Sequence, residues 1–68
     1  MHITGTHRRC SDGTCPAIHD TDDPALIAVQ GSALRDCEAR ADLGDIPAYE
    51  EVVVLPRSLL ESYARQRQ

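Results

Sequence analysis

The stretch Val52-Val53-Val54-Leu55-Pro56, running on into Arg57-Ser58-Leu59-Leu60-Glu61-Ser62-Tyr63-Ala64-Arg65-Gln66-Arg67, decides how this chain is read. It holds the most strongly apolar run, followed by the best amphipathic pattern. Tyr49, Glu51, Val53 and Leu55 alternate with Glu50, Val52 and Val54, as in a strand whose second half is apolar on both faces. Pro56 has no backbone N–H and closes that strand. Ser58 and Glu61 have the spacing of a capping box. Leu59, Leu60, Tyr63 and Ala64 then make a helical apolar stripe, with Arg57, Glu61 and Arg65 on the polar side. Arg65 and Arg67 fall where the helix dipole favours cations. The segment therefore predicts a strand over 49–55 and a helix that folds back from it.

Upstream, the pieces are shorter. Residues 36–43 (DCEARADL) predict a two-turn helix, with Asp36 as N-cap and Gly44 as the residue after its end. Leu34, Cys37 and Ala41 share one side of it. Two turns are not stable alone, so this helix requires packing. Residues 25–30 (ALIAVQ) are apolar on both faces and predict a central strand, with Gly31-Ser32 bending into a short third strand at Ala33-Leu34. Cys15-Pro16-Ala17-Ile18-His19 predicts a short edge strand opening at Pro16. Asp20-Thr21-Asp22-Asp23-Pro24 is rich in turn formers and joins 16–19 to 25–30 as a hairpin. Residues 1–14 (MHITGTHRRCSDGT) show no periodicity and are expected to be a flexible leader before a single domain over 15–68. The order is β-β-(β)-α-β-α, an α+β fold with a small, mainly antiparallel sheet.

Sixty-eight residues allow one domain and a modest core. There is no Trp or Phe, and Tyr49 and Tyr63 are the sole aromatics of the Phe, Trp and Tyr class, so large buried areas are scarce. Small chains of this kind reach stability with a metal, a disulfide or a second chain, and a homodimer is the expectation here. Net charge is −4, with arginine as the one strongly basic residue type. An acidic balance argues against non-specific binding to nucleic acid or to anionic membranes. No apolar run approaches the length that spans a bilayer, and residues 1–13 lack the apolar core of a signal peptide. A cytoplasmic protein is expected. The odd number of cysteines does not read as a secreted disulfide framework.

Two clusters, one of Cys and His and one of Asp, invite four chemical readings. Cys10 and Cys15, with His7 and Cys37, are candidate zinc ligands. A structural site wants two close pairs, whereas this chain offers one loose pair and scattered additions. The plainer reading of Cys37 is a small core residue. Cys10 and Cys15 are also near enough in sequence for a disulfide, which in the cytoplasm would be regulatory or a product of air oxidation. A cysteine nucleophile would need a base from His2, His7 or His19 and a pocket that so small a domain hardly offers, so no enzyme is expected. Asp20, Asp22 and Asp23 lack the length and pattern of a calcium loop and read as turn formers in water.

The run Glu51-Val-Val-Val-Leu-Pro-Arg-Ser-Leu-Leu-Glu61 is similar to the opening of a ribbon-helix-helix repressor, whose paired strands enter the major groove. Glu50 and Glu51 stand where a DNA reader would carry basic or amide side chains, and residues 57–68 have room for only the first helix of that fold. More broadly, Cys15-Pro-Ala-Ile-His-Asp, Ala25-Leu-Ile-Ala-Val-Gln-Gly31, Arg35-Asp36 and Val52-Val-Val-Leu-Pro-Arg-Ser-Leu-Leu60 resemble small uncharacterised actinobacterial proteins. These carry a Cys-Pro-x-Val/Ile strand, a Val-Gln-Gly strand end and a terminal Val-Pro-x-x-Leu-Leu segment. Their layout is similar to that of regulator-associated proteins encoded beside helix-turn-helix regulators. The resemblance spans about residues 15–64, through short motifs. It implies a non-enzymatic role in transcriptional or developmental control by binding a partner protein.

These lines converge on an interaction module that self-associates or binds a regulator; the alternatives are a ribbon-helix-helix-like DNA-binding module and a zinc-stabilised domain. The expected interface is Val52, Val53, Val54 and Leu55, with Leu59 and Tyr63. The helix covers one face of the strand through Leu59, Leu60 and Tyr63, and the 16–30 hairpin lies beside it in the sheet, which leaves the other face for a partner.

Overall fold

A computed structural model describes residues 1–10 and 15–66. It is an α+β chain with both sheets antiparallel, in the order β1 (Ile3–Arg8), β2 (Ala17–Thr21), β3 (Ile27–Gln30), β4 (Ser32–Ala33), α1 (Cys37–Leu43), β5 (Val53–Val54) and α2 (Arg57–Gln66).

The first three strands form one sheet in the order β1-β2-β3. The hairpin expected from 16–30 is present as β2 and β3, paired from Ala17 opposite Gln30 to Asp20 opposite Ile27. Its turn is built on Thr21, whose hydroxyl accepts from the Asp23 N–H and lies 2.9 Å from both the Asp23 and Leu26 carbonyl oxygens. Asp23 Oδ1 accepts from the Ala25 N–H, and the Leu26 N–H donates to the Asp23 carbonyl. This is the side-chain-to-backbone chemistry that makes Asp and Thr turn residues.

Two expectations about this sheet are corrected. The segment expected as a flexible leader over 1–14 holds a strand, since Ile3–Arg8 pairs with β2 from Ile3 opposite Thr21 to Arg8 opposite Ala17, with a bulge between Ile3 and Gly5. The signal for β1 was its β-branched content, Ile3, Thr4 and Thr6, rather than any alternation. With β1 on its far side, β2 becomes the central strand and holds the buried Ala17 and Ile18. The strand expected at the centre, β3, lies at the edge with Ile27 and Val29 exposed.

The second sheet is the two-stranded pair β4–β5, with Ser32 opposite Val54 and Ala33 opposite Val53, extended by a bond from the Leu34 N–H to the Val52 carbonyl. Gly31 makes the bend into it. A Cβ at this position would sit 2.5 Å from the Val54 carbonyl oxygen, so only glycine fits without a shift. The expected strand over 49–55 shrinks to Val53–Val54, since the Glu50 N–H bonds to the Pro47 carbonyl in a turn and β4 offers two residues to pair with. The 16–30 hairpin therefore does not lie beside Val52–Leu55 in one sheet.

Helix α1 carries the expected caps. Asp36 accepts from the Ala39 N–H at 3.0 Å, and Gly44 stands at φ 73° with its N–H bonded to the Ala41 carbonyl. It buries no residue, contrary to the packing its length requires. Its Arg40 holds the Leu34 carbonyl at 2.9 Å.

Helix α2 begins at Arg57, so Ser58 falls inside it and the expected capping box is not its start; the Pro56 carbonyl takes the first bond, from the Leu59 N–H. α2 packs on β2 of the three-stranded sheet rather than on the 52–55 strand. Leu59 is buried on the face that also carries Ile18, while Ala17 is buried on the opposite face, and these three are the fully buried apolar side chains among the described residues.

Candidate interaction surface

Residues directly opposite in an antiparallel sheet share a face. The register therefore puts His7, Ile18 and Val29 on one face, together with Gly5, Asp20 and Ile27. α2 lies on this face. His7 Nε2 and Ser62 Oγ are 3.1 Å apart, the Tyr63 hydroxyl donates to Asp20 Oδ1 at 2.6 Å, and the His7 and Tyr63 rings meet edge to face with centroids 6.0 Å apart. The opposite face carries a polar row. Gln30 Oε1 accepts only, so His19 Nε2 donates to it at 3.1 Å, and in the neutral ring Nδ1 accepts from Thr6 Oγ1 at 2.9 Å.

The helix does not cover its whole face of the sheet. Ser62 reaches β1 through His7, and Tyr63 reaches Asp20 of β2. At about 100° per residue, Leu60 lies round from Leu59 on the Tyr63 side, away from Ser62 and hence toward β3. Tyr63 and Ile27 line one cleft of about 490 Å³ together with Asp20 and Leu26, which places that flank of the helix beside β3. Leu60 (50% exposed), Leu26 (48%), Ile27 (49%) and Val29 (41%) all stay open to solvent. The expected stripe of Leu59, Leu60, Tyr63 and Ala64 is thus split: Leu59 and Tyr63 meet the sheet, while Leu60 and Ala64 are left out.

The six residues expected at the interface fare differently. Leu59 is 1% exposed and belongs to the core, and Tyr63 is half-buried against Asp20. Val52, Val53 and Leu55 are half-buried, and Val54 is exposed. Val53 lines a second cleft, of about 450 Å³, with Ala33, Leu34, Arg35, Arg40 and Glu51. β5, the strand likened to a ribbon-helix-helix reader, pairs within its own chain to β4.

The four candidate metal ligands do not assemble. Cys10 and Cys15 are joined as a disulfide across the β1–β2 connection, with Cα atoms 6.4 Å apart. His7 is bonded to Ser62, and Cys37 is exposed on α1. No group of three or more His, Cys, Asp or Glu able to hold a metal occurs among the described residues. His7 and Ser62 form a base–hydroxyl pair, and Asp20, on the same face of the sheet, is engaged by Tyr63. Neither residue lines the two clefts. The pair joins helix to sheet.

Sequence reasoning missed the apolar flank of β3 and Leu60, since a strand apolar on both faces read as central. The missed signal lies in Ile3, Thr4 and Thr6, which claim the far side of β2 and push β3 to the edge. No helix among the described residues is long and apolar enough to cross a membrane. No protein-family model, curated protein or solved structure matches the chain.

Proposed function

We propose that this chain is a non-enzymatic protein-interaction module whose work is to dock on another protein surface. One observation carries the reading: the chain exposes far more surface than its size requires. Its accessible area is 5376 Å², whereas a compact monomer of this length exposes about 4,300 Å². Its radius of gyration is 13.5 Å against about 11 Å for a compact chain. The surplus includes large apolar side chains, among them Leu26, Ile27, Val29, Leu43, Tyr49, Val54 and Leu60. Burying such side chains is worth about 1.5–3 kcal/mol each relative to leaving them in water, so a second surface has much to gain by covering them.

A cytoplasmic place and a role in transcriptional or developmental regulation belong to the same proposal. The regulatory role is supported by the resemblance of the layout to regulator-associated proteins, and the cytoplasmic place by the absence of a bilayer-spanning apolar run and of a signal-peptide core in residues 1–13.

Hydrogen exchange combined with sedimentation tests the reading. α1 buries nothing, so its amides should exchange rapidly in the isolated monomer and slow down in the associated form. A chain that stays monomeric at micromolar concentration, with α1 amides as protected as those of β2, would contradict it.

A further inference from the structure

The proposed docking role leaves the partner open; the geometry of β3 and α2 narrows it. We infer that two copies of this chain pair edge to edge through β3, giving a six-stranded sheet with both α2 helices on one face.

The two edges of the three-stranded sheet are built differently. Exposed edges in natural proteins carry bulges, charges or proline that discourage pairing. β1 has a bulge between Ile3 and Gly5 and ends in His7-Arg8. β3 is Ile27-Ala28-Val29-Gln30, with no bulge in its pairing to β2, no charged residue and no proline. One edge is guarded and the other is left ready to pair.

The strand is also complementary to itself. A twofold axis perpendicular to the sheet requires residues opposite one another to share a face. An axis through Ala28 meets that condition. It sets Ile27 against Val29 of the second copy, Val29 against its Ile27, and Ala28 against Ala28 on the far face. The side chains meeting over the seam are then the exposed apolar ones, on the face that carries α2.

The helices complete the seam. Three strand spacings separate β2 from its counterpart, so helices centred over those strands lie about 14 Å apart. That is wider than the 8–10 Å of helices in direct contact. The trough between them is floored by Ile27 and Val29 of both copies. Leu60, on the β3 side of α2, leans into it from each wall, and Ala64 one turn on keeps the wall low. A four-residue strand supplies few hydrogen bonds, so this apolar trough must carry much of the affinity.

The area fits as well. The surplus surface is about 1,100 Å² per chain, and a standard interface buries about 800 Å² per partner. A second copy supplies the matching edge, helix flank and trough wall by symmetry. A foreign strand would cover the edge alone and leave Leu60 and Val29 uncovered.

The test uses the full chain. Sedimentation should give a dimer for the native chain and for Val54→Glu on β5, and a folded monomer for Val29→Glu and Ile27→Lys, with folding checked by circular dichroism. In a Cys37→Ser background, Ala28→Cys should form a disulfide-linked dimer on oxidation, since Cα atoms of directly opposed strand residues lie within disulfide reach. Thr6→Cys on the β1 edge should not. A dimer that survives Val29→Glu and is lost in Val54→Glu overturns the β3 seam but leaves the docking role standing. A native monomer whose β3 amides become protected only on adding another protein overturns the second copy as occupant and again leaves that role. A native monomer with protected α1 amides removes both.

Discussion

Thr21 shows most plainly how one side chain can hold this fold. Its hydroxyl accepts from the Asp23 N–H and serves two carbonyl oxygens, donating to one at a time, and the residue is 8% exposed. Thr21→Val keeps the shape but leaves buried partners unsatisfied, so urea unfolding should show a loss of about 1–3 kcal/mol. Tyr63→Phe removes the hydroxyl bonded to Asp20, part of what seats α2, and should cost about 1–2 kcal/mol by the same measurement. Gly31→Ala would drive a methyl against the Val54 carbonyl. It should release the β4–β5 pair first, seen as faster exchange of the Leu34 amide with β2 amides unchanged. The value of Thr21 was legible, because Asp and Thr signal their own turns. The need for glycine at 31 was not, because the carbonyl it meets lies more than twenty residues away.

At the scale of elements, what the sequence made legible is what local chemistry fixes. The β2–β3 hairpin follows from its turn, and α1 follows from Asp36 and Gly44. α2 follows from its amphipathic stripe, although its start is set by Pro56 rather than by Ser58. What could not be read depends on pairing at a distance. Val52–Leu55 looked like the organiser because it is the most strongly apolar run, yet β5 spans two residues since β4 offers it two partners. α2 packs on β2 instead, where Leu59 is buried on the Ile18 face, because β2, flanked by strands on both sides, is the surface with room for a core. The same reason explains the candidate surface: Ile27 and Val29 have the right character for a core, and β1 denies them the position. For α1, Gly44→Ala places a Cβ at φ 73° and should fray the helix by about 1 kcal/mol, read as a loss of amide protection confined to 37–43.

For the whole molecule, the contrast is between a small buried core and a large exposed apolar surface. The Cys10–Cys15 disulfide adds a local brace at the β1–β2 connection. Closing so short a loop is worth about 2 kcal/mol, so Cys10→Ser should lower the thermal midpoint while β2 and β3 stay paired. Such a brace does nothing for the β3 edge or for Leu60, which lie elsewhere in the fold. Covering them requires another surface, and β3 with α2 provides one that matches itself. Sedimentation equilibrium over a range of protein concentration, with the thermal midpoint followed on the same samples, tests this most directly. The account predicts a mass rising toward twice that of the chain and a midpoint rising with it. A mass equal to one chain at every concentration, with a cooperative midpoint that does not move, would contradict it.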